Sequence, residues 1–237
     1  MSKEGHLSLD DFIFIGRTYD EYVRMFDLRE ADIAGKRILD CPGGACSFAA
    51  HASSLGTEVM AADVLYELDG PVLLAKGAAD LQRLRKGMAG AKEDYVWDEF
   101  CNVDGLIQTR QNALADFIKD YQGNRQRYIA ATLPHLPFAD NQFDIVLSAH
   151  FLFCYAEIIG FDLHLATVKE LLRVTENEVR IFPLVSNGGV VYPFLSELLA
   201  ELELLGHRAE VIAVPYQFQR GASEMLRISK RKGGAVE

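Results

Sequence analysis

The chain has 237 residues, and its 24 lysines and arginines against 34 aspartates and glutamates give a formal net charge of −10. Apolar residues make up 49% and charged residues 24%, proportions typical of a soluble globular protein. The excess of acid argues against an electrostatic grip on a nucleic-acid backbone, and the four cysteines form no CxxC pair of the kind that marks a zinc ribbon.

No stretch of the sequence is expected to cross a bilayer or to direct export. The longest uncharged apolar stretch, residues 181–196, is short and is interrupted by two glycines and two prolines. The early apolar run over residues 12–15 is not a signal peptide. We therefore expect a cytoplasmic protein with no membrane partner.

The first predicted elements form a βαβ unit. A strand over residues 37–40 leads into the turn-forming run Cys41-Pro42-Gly43-Gly44. A helix rich in small residues follows over 45–55, and a second strand over 58–63 ends in an acid. The order strand, glycine turn, helix, strand predicts a parallel sheet.

Helical segments flank and interrupt this unit. Thr18 and Glu21 have the spacing of a capping box and predict the start of a first helix, within an N-terminal helical cap over 1–34. Apolar spacing predicts that residues 66–126 are mostly helical. This segment is long for a single crossover, so we interpret it as one crossover helix plus an inserted lid.

The remaining elements complete an α/β fold. The predicted strands cover residues 127–131, 143–148, 179–184, 210–214 and 225–228, and the predicted helices cover 165–172 and the segment opened by Pro193. The last two strands pair as an antiparallel hairpin. The expectation is a single domain over 1–237, built on a doubly wound, Rossmann-like, mostly parallel seven-stranded sheet with a C-terminal antiparallel hairpin and a helical insert.

Ligands of such sheets bind beyond the carboxyl ends of the strands. The first turn lacks the GxGxxG spacing that a dinucleotide pyrophosphate needs, and Asp40 at its mouth would repel phosphate. A cationic ligand without phosphate, such as S-adenosylmethionine, suits this crevice better. Asp63 follows 23 residues after Asp40 and is placed to accept hydrogen bonds from a ribose diol.

These residues resemble the class I S-adenosylmethionine-dependent methyltransferases. The resemblance rests on residues 38–44 as the first motif and on Asp63 as the acid that ends the second strand. Residues 136–146, Leu-Pro-Phe-Ala-Asp-Asn-Gln-Phe-Asp-Ile-Val, are similar to the family's Leu-Pro-Phe…Phe-Asp-x-Val segment. Residues 171–182 are similar to the helix and strand that follow. The resemblance does not extend to the helical insert.

The resemblance implies which residues hold the cofactor. Residues 40–44 would hold its methionine part, Asp63 its ribose, and Thr132 with Leu133 its adenine edge. Arg17 is either a solvated surface arginine or a clamp on the cofactor carboxylate, since arginine binds carboxylates bidentately. The predicted cofactor-binding residues are Arg17, Asp40, Cys41, Pro42, Gly43, Gly44, Asp63, Val64, Thr132, Leu133, Ser148 and His150.

No motif identifies a catalytic residue, and the candidates are His150 and Tyr155. His150 is either a general base beside the transferred methyl group or a structural histidine. His150 and Cys154 are four residues apart but lack a third ligand, so no metal site is expected. The end of the fourth strand lacks the Asn/Asp-Pro-Pro-aromatic motif of amino-methylating nucleic-acid enzymes. With the acidic charge, this favours a small-molecule acceptor over a nucleic acid.

Three functional hypotheses follow. The first is a methyltransferase that uses S-adenosylmethionine for in-line methyl transfer to a small molecule. The second is a non-catalytic protein that binds S-adenosylmethionine or S-adenosylhomocysteine. It is motivated by Pro42 and Cys46, where the family usually has glycine, and by Thr132, where it often has an acid. The third is a nucleotide-dependent oxidoreductase, against which the missing GxGxxG counts.

Overall fold

The computed structural model describes residues 12–231, apart from residues 89 and 91. The parts of the expected cap and domain that fall on residues 1–11 and 232–237 lie outside the described residues. The strands are β1 (Arg37–Asp40), β2 (Glu58–Asp63), β3 (Tyr128–Ala130), β4 (Phe143–Ala149), β5 (Thr175–Phe182), β6 (Arg208–Ala213) and β7 (Glu224–Ser229). The helices are α1 (Tyr19–Met25), α2 (Glu30–Ile33), α3 (Phe48–Ser54), α4 (Gly70–Met88), α5 (Val103–Gly123), α6 (Phe161–Val174) and α7 (Leu195–Leu204).

The seven strands form a single sheet in the order β3-β2-β1-β4-β5-β7-β6. All neighbouring pairs from β3 to β5 are parallel, whereas β7 is antiparallel to both β5 and β6. The predicted fold class, including its C-terminal antiparallel hairpin, is confirmed. The strand order reverses between β1 and β4, and ligands of doubly wound sheets bind at this switch point.

Side chains alternate between the two faces of the sheet and build one core on each. Ile38 of β1 packs into the core beneath α1, α3 and α5, whereas its neighbour Leu39 packs into the core beneath α6 and α7. Both side chains are fully buried. This period-2 pattern with apolar residues on both faces is typical of a parallel sheet covered on both sides.

The starts of three helices show how far local signals determine boundaries. Thr18 and Glu21 form the predicted capping box at the start of α1. The predicted helix over 45–55 begins only at Phe48, because Gly44 has a φ of 53° and the chain makes one more turn first. Pro193 does not open α7, because Phe194 is the N-cap residue and the helix begins after it.

Two long helices, α4 and α5, occupy most of residues 66–126. Helix α5 is anchored in the main core, where Leu114, Phe117 and Tyr121 are buried. The Tyr121 hydroxyl oxygen also lies 2.8 Å from the backbone carbonyl oxygens of both Tyr66 and Leu68, which share its one proton. A lid role for this segment stays a prediction. Because the core anchors this part of α5, a lid that moves could not include it. None of the described helices combines the length and the apolar character needed to cross a bilayer.

Candidate functional site

The turn between β1 and α3 is packed so closely that it depends on glycine. A Cβ atom at Gly43 would lie 2.6 Å from the Tyr66 hydroxyl oxygen, so no larger residue fits without displacing that ring. The Gly43 N–H donates to the Ala62 carbonyl at 2.9 Å, and the Tyr66 hydroxyl donates to the Gly44 carbonyl at 2.7 Å. The turn is therefore fixed against the end of β2.

Asp63 ends β2 and braces this turn. Its Oδ2 accepts the Gly44 N–H at 3.0 Å, and its Oδ1 accepts the Leu65 N–H at 2.9 Å. Burial raises the pKa of Asp63, and these two hydrogen bonds oppose that rise. An ionised carboxylate has about four acceptor positions, so two remain for ligand hydroxyl groups.

Asp40 lies behind the turn rather than at its mouth. The side chain is 1% exposed, and it accepts a hydrogen bond from the Tyr22 hydroxyl at 2.9 Å. Burial raises the pKa of Asp40 to about 8, with the nearby Asp63 carboxylate adding to the rise and the Tyr22 hydrogen bond opposing it. The structure thus corrects the expectation of an accessible carboxylate at this position.

Cys46 is a buried packing residue. Its sulfur accepts a hydrogen bond from the Arg17 N–H at 3.3 Å and lies 3.2 Å from the Tyr22 hydroxyl oxygen, which shares its one proton between Asp40 and this sulfur. Burial raises the pKa of the Cys46 thiol to about 12. This thiol is therefore not activated by its place near the start of α3.

Residues 12–17, which we call the strap, cross over the first turn. A Cβ atom at Gly16 would lie 1.8 Å from the Ala45 carbonyl oxygen, so the strap touches the turn backbone to backbone. The Arg17 carbonyl accepts the Ser47 N–H at 3.0 Å. The Phe14 N–H donates to Asp80 on α4 at 2.8 Å. The strap therefore connects the turn to the insert.

Arg17 carries its guanidinium into the space beside the turn. Its Nη1 donates to the Ile15 carbonyl at 3.2 Å, while its buried Nε has no partner among the described residues. No carboxylate forms an ion pair with Arg17 within the described part of the chain. A buried donor without a partner is costly, so this group is suited to an anionic ligand.

A cavity of about 750 Å³ opens between the turn, the strap and the insert, within the range of small-molecule sites. Ten predicted cofactor residues line it, namely Arg17, Cys41, Pro42, Gly43, Gly44, Asp63, Val64, Thr132, Leu133 and His150. Asp40 and Ser148 do not line it. Ser148 is 1% exposed in the middle of the sheet, because β1 and β5 flank its strand.

The two catalytic candidates, His150 and Tyr155, both line the cavity. His150 has a φ of 51°, and its N–H donates to the Phe182 carbonyl at 2.6 Å. Its buried Nδ1 has no partner in the described residues. The Tyr155 hydroxyl accepts the Ile13 N–H of the strap at 3.3 Å. His150 is thus free to bind a ligand, whereas Tyr155 also holds the strap.

A second group of lining residues was not predicted from the sequence. They come from the strap, the insert, and the loop between β6 and β7, and include Phe12, Ile13, Phe14, Arg83, Leu84, Met88, Tyr95, Tyr216, Phe218 and Gln219. No local motif marks them, because tertiary packing brings them together. Arg83 pairs with Asp80 at 3.2 Å while lining the cavity.

Tyr216 belongs to a buried polar network that joins three elements around the cavity. Arg110 of α5 binds Glu21 of α1 through two hydrogen bonds of 2.5 and 2.8 Å. The Tyr216 hydroxyl donates to the same carboxylate at 2.8 Å. Burial opposes ionisation of Glu21, but Arg110 outweighs it and lowers the pKa of Glu21 to about 2. The network holds one wall of the cavity in place.

No group of three or more metal-binding side chains lies close enough to hold a metal ion in the part of the chain that the structure describes. The described residues include His150 and Cys154, the pair four residues apart that was considered above as metal ligands.

The chain is similar to known proteins in sequence and in structure. Residues 95–182 match a family model described as a methyltransferase domain. The chain is 36% identical over 226 residues to the uncharacterized protein MJ0045 of Methanocaldococcus jannaschii, a match that covers 95% of this chain and 99% of the archaeal protein. The two proteins are therefore relatives along almost their whole lengths.

Solved structures with similar chains are much more distant in sequence. A methyltransferase from Aquifex aeolicus is 15% identical, covers 88% of this chain and 91% of its own, and has a TM-score of 0.42. Magnesium protoporphyrin IX methyltransferase from Synechocystis, with bound S-adenosylmethionine, is 10% identical. The match covers 90% of this chain and 78% of the methyltransferase, with a TM-score of 0.49. The methyltransferase-domain match over residues 95–182 and the strand order support membership of the class I S-adenosylmethionine-dependent methyltransferases, with S-adenosylmethionine as the cofactor.

Proposed function

We propose that the protein transfers the methyl group of S-adenosylmethionine to a small-molecule acceptor bound in the same cavity. The observation that carries this proposal is that the glycine turn, the Asp63 carboxylate and the Arg17 guanidinium all line one cavity. Each group matches a different part of the cofactor. The rest of the lining leaves an apolar space in which an acceptor would lie beside it.

Asp63 is the residue we assign to the ribose. Its two backbone hydrogen bonds fix the carboxylate in orientation, and its two remaining acceptor positions match a vicinal diol. The neighbouring Val64, Thr132 and Leu133 line the same part of the cavity, and we assign them to the adenine. A second pocket of about 480 Å³ shares Val64 and Thr132, so the adenine side extends beyond the main cavity.

Arg17 is the residue we assign to the cofactor carboxylate. Its backbone is hydrogen-bonded to Cys46 and Ser47, so its position follows that of the turn. Its unpartnered Nε supports this role, because a carboxylate would satisfy that donor and balance the guanidinium charge. Of its two interpretations, the solvated surface arginine is disfavoured, because that Nε atom is buried.

The bound cofactor supplies a methyl group on a positively charged sulfur, which an acceptor atom attacks from the opposite side. The chain contributes alignment and exclusion of water. Rigid alignment of two reactants is worth up to about 7–11 kcal/mol in well-oriented systems. The fixed turn, the strap and the Glu21–Arg110–Tyr216 network restrict the geometry of this cavity. We propose that the strap and the insert together cover the reacting atoms.

Isothermal titration with S-adenosylmethionine and S-adenosylhomocysteine tests the proposal. We expect micromolar binding of both ligands by the wild type. Asp63→Ala should weaken binding by at least tenfold, because hydrogen bonds to a charged group contribute about 1.5–3 kcal/mol and each 1.4 kcal/mol is tenfold. Asp98→Ala, at an exposed acid outside the cavity lining, is the matched control and should bind normally.

Circular dichroism of both variants separates a lost contact from a lost fold. A folded wild type that binds neither ligand would end the proposal. Equal affinity of wild type and Asp63→Ala would remove Asp63 from the ribose role. A strong preference for S-adenosylhomocysteine without turnover on any acceptor would support the non-catalytic binding protein instead.

A further inference from the structure

The cavity carries more positive than negative charge. Arg17 and Arg83 line it, and Asp63 is the one carboxylate among the described lining residues. Asp80, outside the lining, pairs with both Arg83 and Lys76, so this group of three keeps one net positive charge. Both oxygens of Asp63 already accept backbone N–H groups. The bound cofactor adds one net positive charge, because its ammonium and sulfonium groups outnumber its single carboxylate. A protonated amine in this space would have no free carboxylate to pair with, and burying such a charge is costly. The cavity therefore disfavours a cationic acceptor.

Two groups of aromatic side chains line the cavity. In the first, the ring of Phe12 lies 4.8 Å from that of Tyr155 and 5.9 Å from that of Phe151, measured between centroids. In the second, Tyr95 and Phe218 lie 4.7 Å apart. The five rings come from distant parts of the chain and face one space. Aromatic walls favour flat, largely apolar ligands, which stack on them or meet them edge to face.

His150 supplies the one unsatisfied imidazole in the described part of this lining. Its side chain makes no hydrogen bond to the described residues, and because Nδ1 is buried, Nε2 is the nitrogen left to meet a ligand. Burial lowers the pKa of His150, and the Arg17 and Arg110 charges lower it further, so the ring is neutral near pH 7. A neutral imidazole has one donor and one acceptor. A ligand group that donates a hydrogen bond would satisfy the acceptor.

We infer that the acceptor is a flat, uncharged molecule bearing a hydroxyl group, a phenol or an enol, whose O–H donates to the imidazole of His150. This inference rests on the proposed function and deepens it. The aromatic rings set the shape of the ligand, the charge balance excludes an ammonium group, and the imidazole selects a donor.

The chemistry of transfer balances with these groups. The new bond forms between the hydroxyl oxygen and the methyl carbon, and the bond between that carbon and the sulfur breaks. The electron pair of the broken bond stays on the sulfur. The O–H group becomes strongly acidic as the new bond forms, so a weakly basic imidazole suffices to take the proton and pass it to water. The products are a methyl ether and S-adenosylhomocysteine.

Ligand binding to the protein saturated with S-adenosylhomocysteine tests the inference. The probes are 1-naphthol, its methyl ether 1-methoxynaphthalene, 1-naphthylamine and 1-naphthylmethylammonium, all built on one flat ring system. We expect 1-naphthol to bind at least tenfold more tightly than 1-naphthylmethylammonium. We also expect it to bind about tenfold more tightly than the ether, which has no donor. Methyl transfer from labelled cofactor should reach 1-naphthol before 1-naphthylamine.

Two variants test His150 itself. Glycine and asparagine both tolerate the positive φ of this position, so His150→Gly and His150→Asn remove the imidazole without straining the backbone. We expect the preference for 1-naphthol over its ether to fall to about one in both variants. The control His51→Gln, at an exposed histidine outside the cavity lining, should keep the wild-type preference.

The preference is a ratio of two similar ligands, so a general loosening of the cavity would not change it selectively. The inference is overturned by equal binding of the ammonium probe, by a preference that survives in both variants, or by faster transfer to 1-naphthylamine. It is also overturned when protein that binds S-adenosylhomocysteine binds none of the probes. Failure to bind S-adenosylhomocysteine itself would overturn the proposed function instead.

Discussion

Arg110→Met is expected to be among the most destabilising single changes around the cavity. The guanidinium is almost fully buried, with 2% of its side chain exposed against 1% for Glu21. The two groups share hydrogen bonds of 2.5 and 2.8 Å. Methionine fills the space of the arginine stem, but it leaves the Glu21 carboxylate without its cation. The Tyr216 hydroxyl and the N–H and hydroxyl groups of Thr18 are then its remaining donors.

The expected cost follows from this burial. Breaking a buried pair by removing one partner costs about 3–5 kcal/mol, because a charge stays behind without compensation. An exposed pair contributes only about 0–1 kcal/mol. Arg85 and Asp104 form such a pair, with 44% and 80% of their side chains exposed. Arg85→Met is therefore the matched control.

Urea unfolding followed by circular dichroism measures both variants under the same conditions. We expect Arg110→Met to lower the free energy of unfolding by about 3–5 kcal/mol, and Arg85→Met to lower it by less than about 1 kcal/mol. Adding Glu21→Leu to Arg110→Met should recover part of the loss, because no buried charge is then left alone. Equal effects of the two single variants would refute the reasoning, since burial would then not determine the cost.

Three further changes test other parts of the structure. Gly16→Ala places a Cβ 1.8 Å from a carbonyl oxygen of the first turn and should lower stability by at least about 1–3 kcal/mol in thermal unfolding. The control is Gly123→Ala, whose Cβ meets nothing within 4 Å. Its stability should stay within about 1 kcal/mol of the wild type. Thiol titration of the native protein should show one fast cysteine, the exposed Cys101, because the other three thiols are buried; two or more fast thiols would contradict the packing around the turn. The pKa of Glu21 is lowered to about 2 from 4.5, so the stabilisation by the ionised carboxylate is present above pH 4.5 and is lost as the pH falls toward 2. Glu21→Gln should therefore flatten the dependence of the unfolding free energy on pH in that window. An unchanged pH dependence would contradict the pairing.

The first βαβ unit could be predicted from sequence because its signals are local. The Gly43-Gly44 run, the strand before it and the acid at position 63 all lie within 27 residues of one another. Parallel strands buried on both faces give continuous apolar runs, and such a turn has few alternatives to glycine. In the observed sheet β1 and β2 are parallel neighbours, as this unit predicts.

The walls of the cavity could not be predicted, because they depend on contacts between distant segments. Glu21 meets Tyr216 across 195 positions, and Phe14 meets Asp80 across 66. The position of Asp40 shows the same limit within a predicted motif. The sequence places it at the end of β1, but the Tyr22 hydroxyl from α1 determines that its carboxyl is buried.

A crystal structure of the complex with S-adenosylhomocysteine tests the central claim most directly. The account predicts that the two ribose hydroxyls donate to the Asp63 carboxylate, that the amino-acid carboxylate lies on the Arg17 guanidinium, and that the adenine contacts Thr132 or Leu133. The sulfur should then point toward His150 and the aromatic side chains. A ligand bound outside this cavity, or one whose ribose does not touch Asp63, would contradict the account.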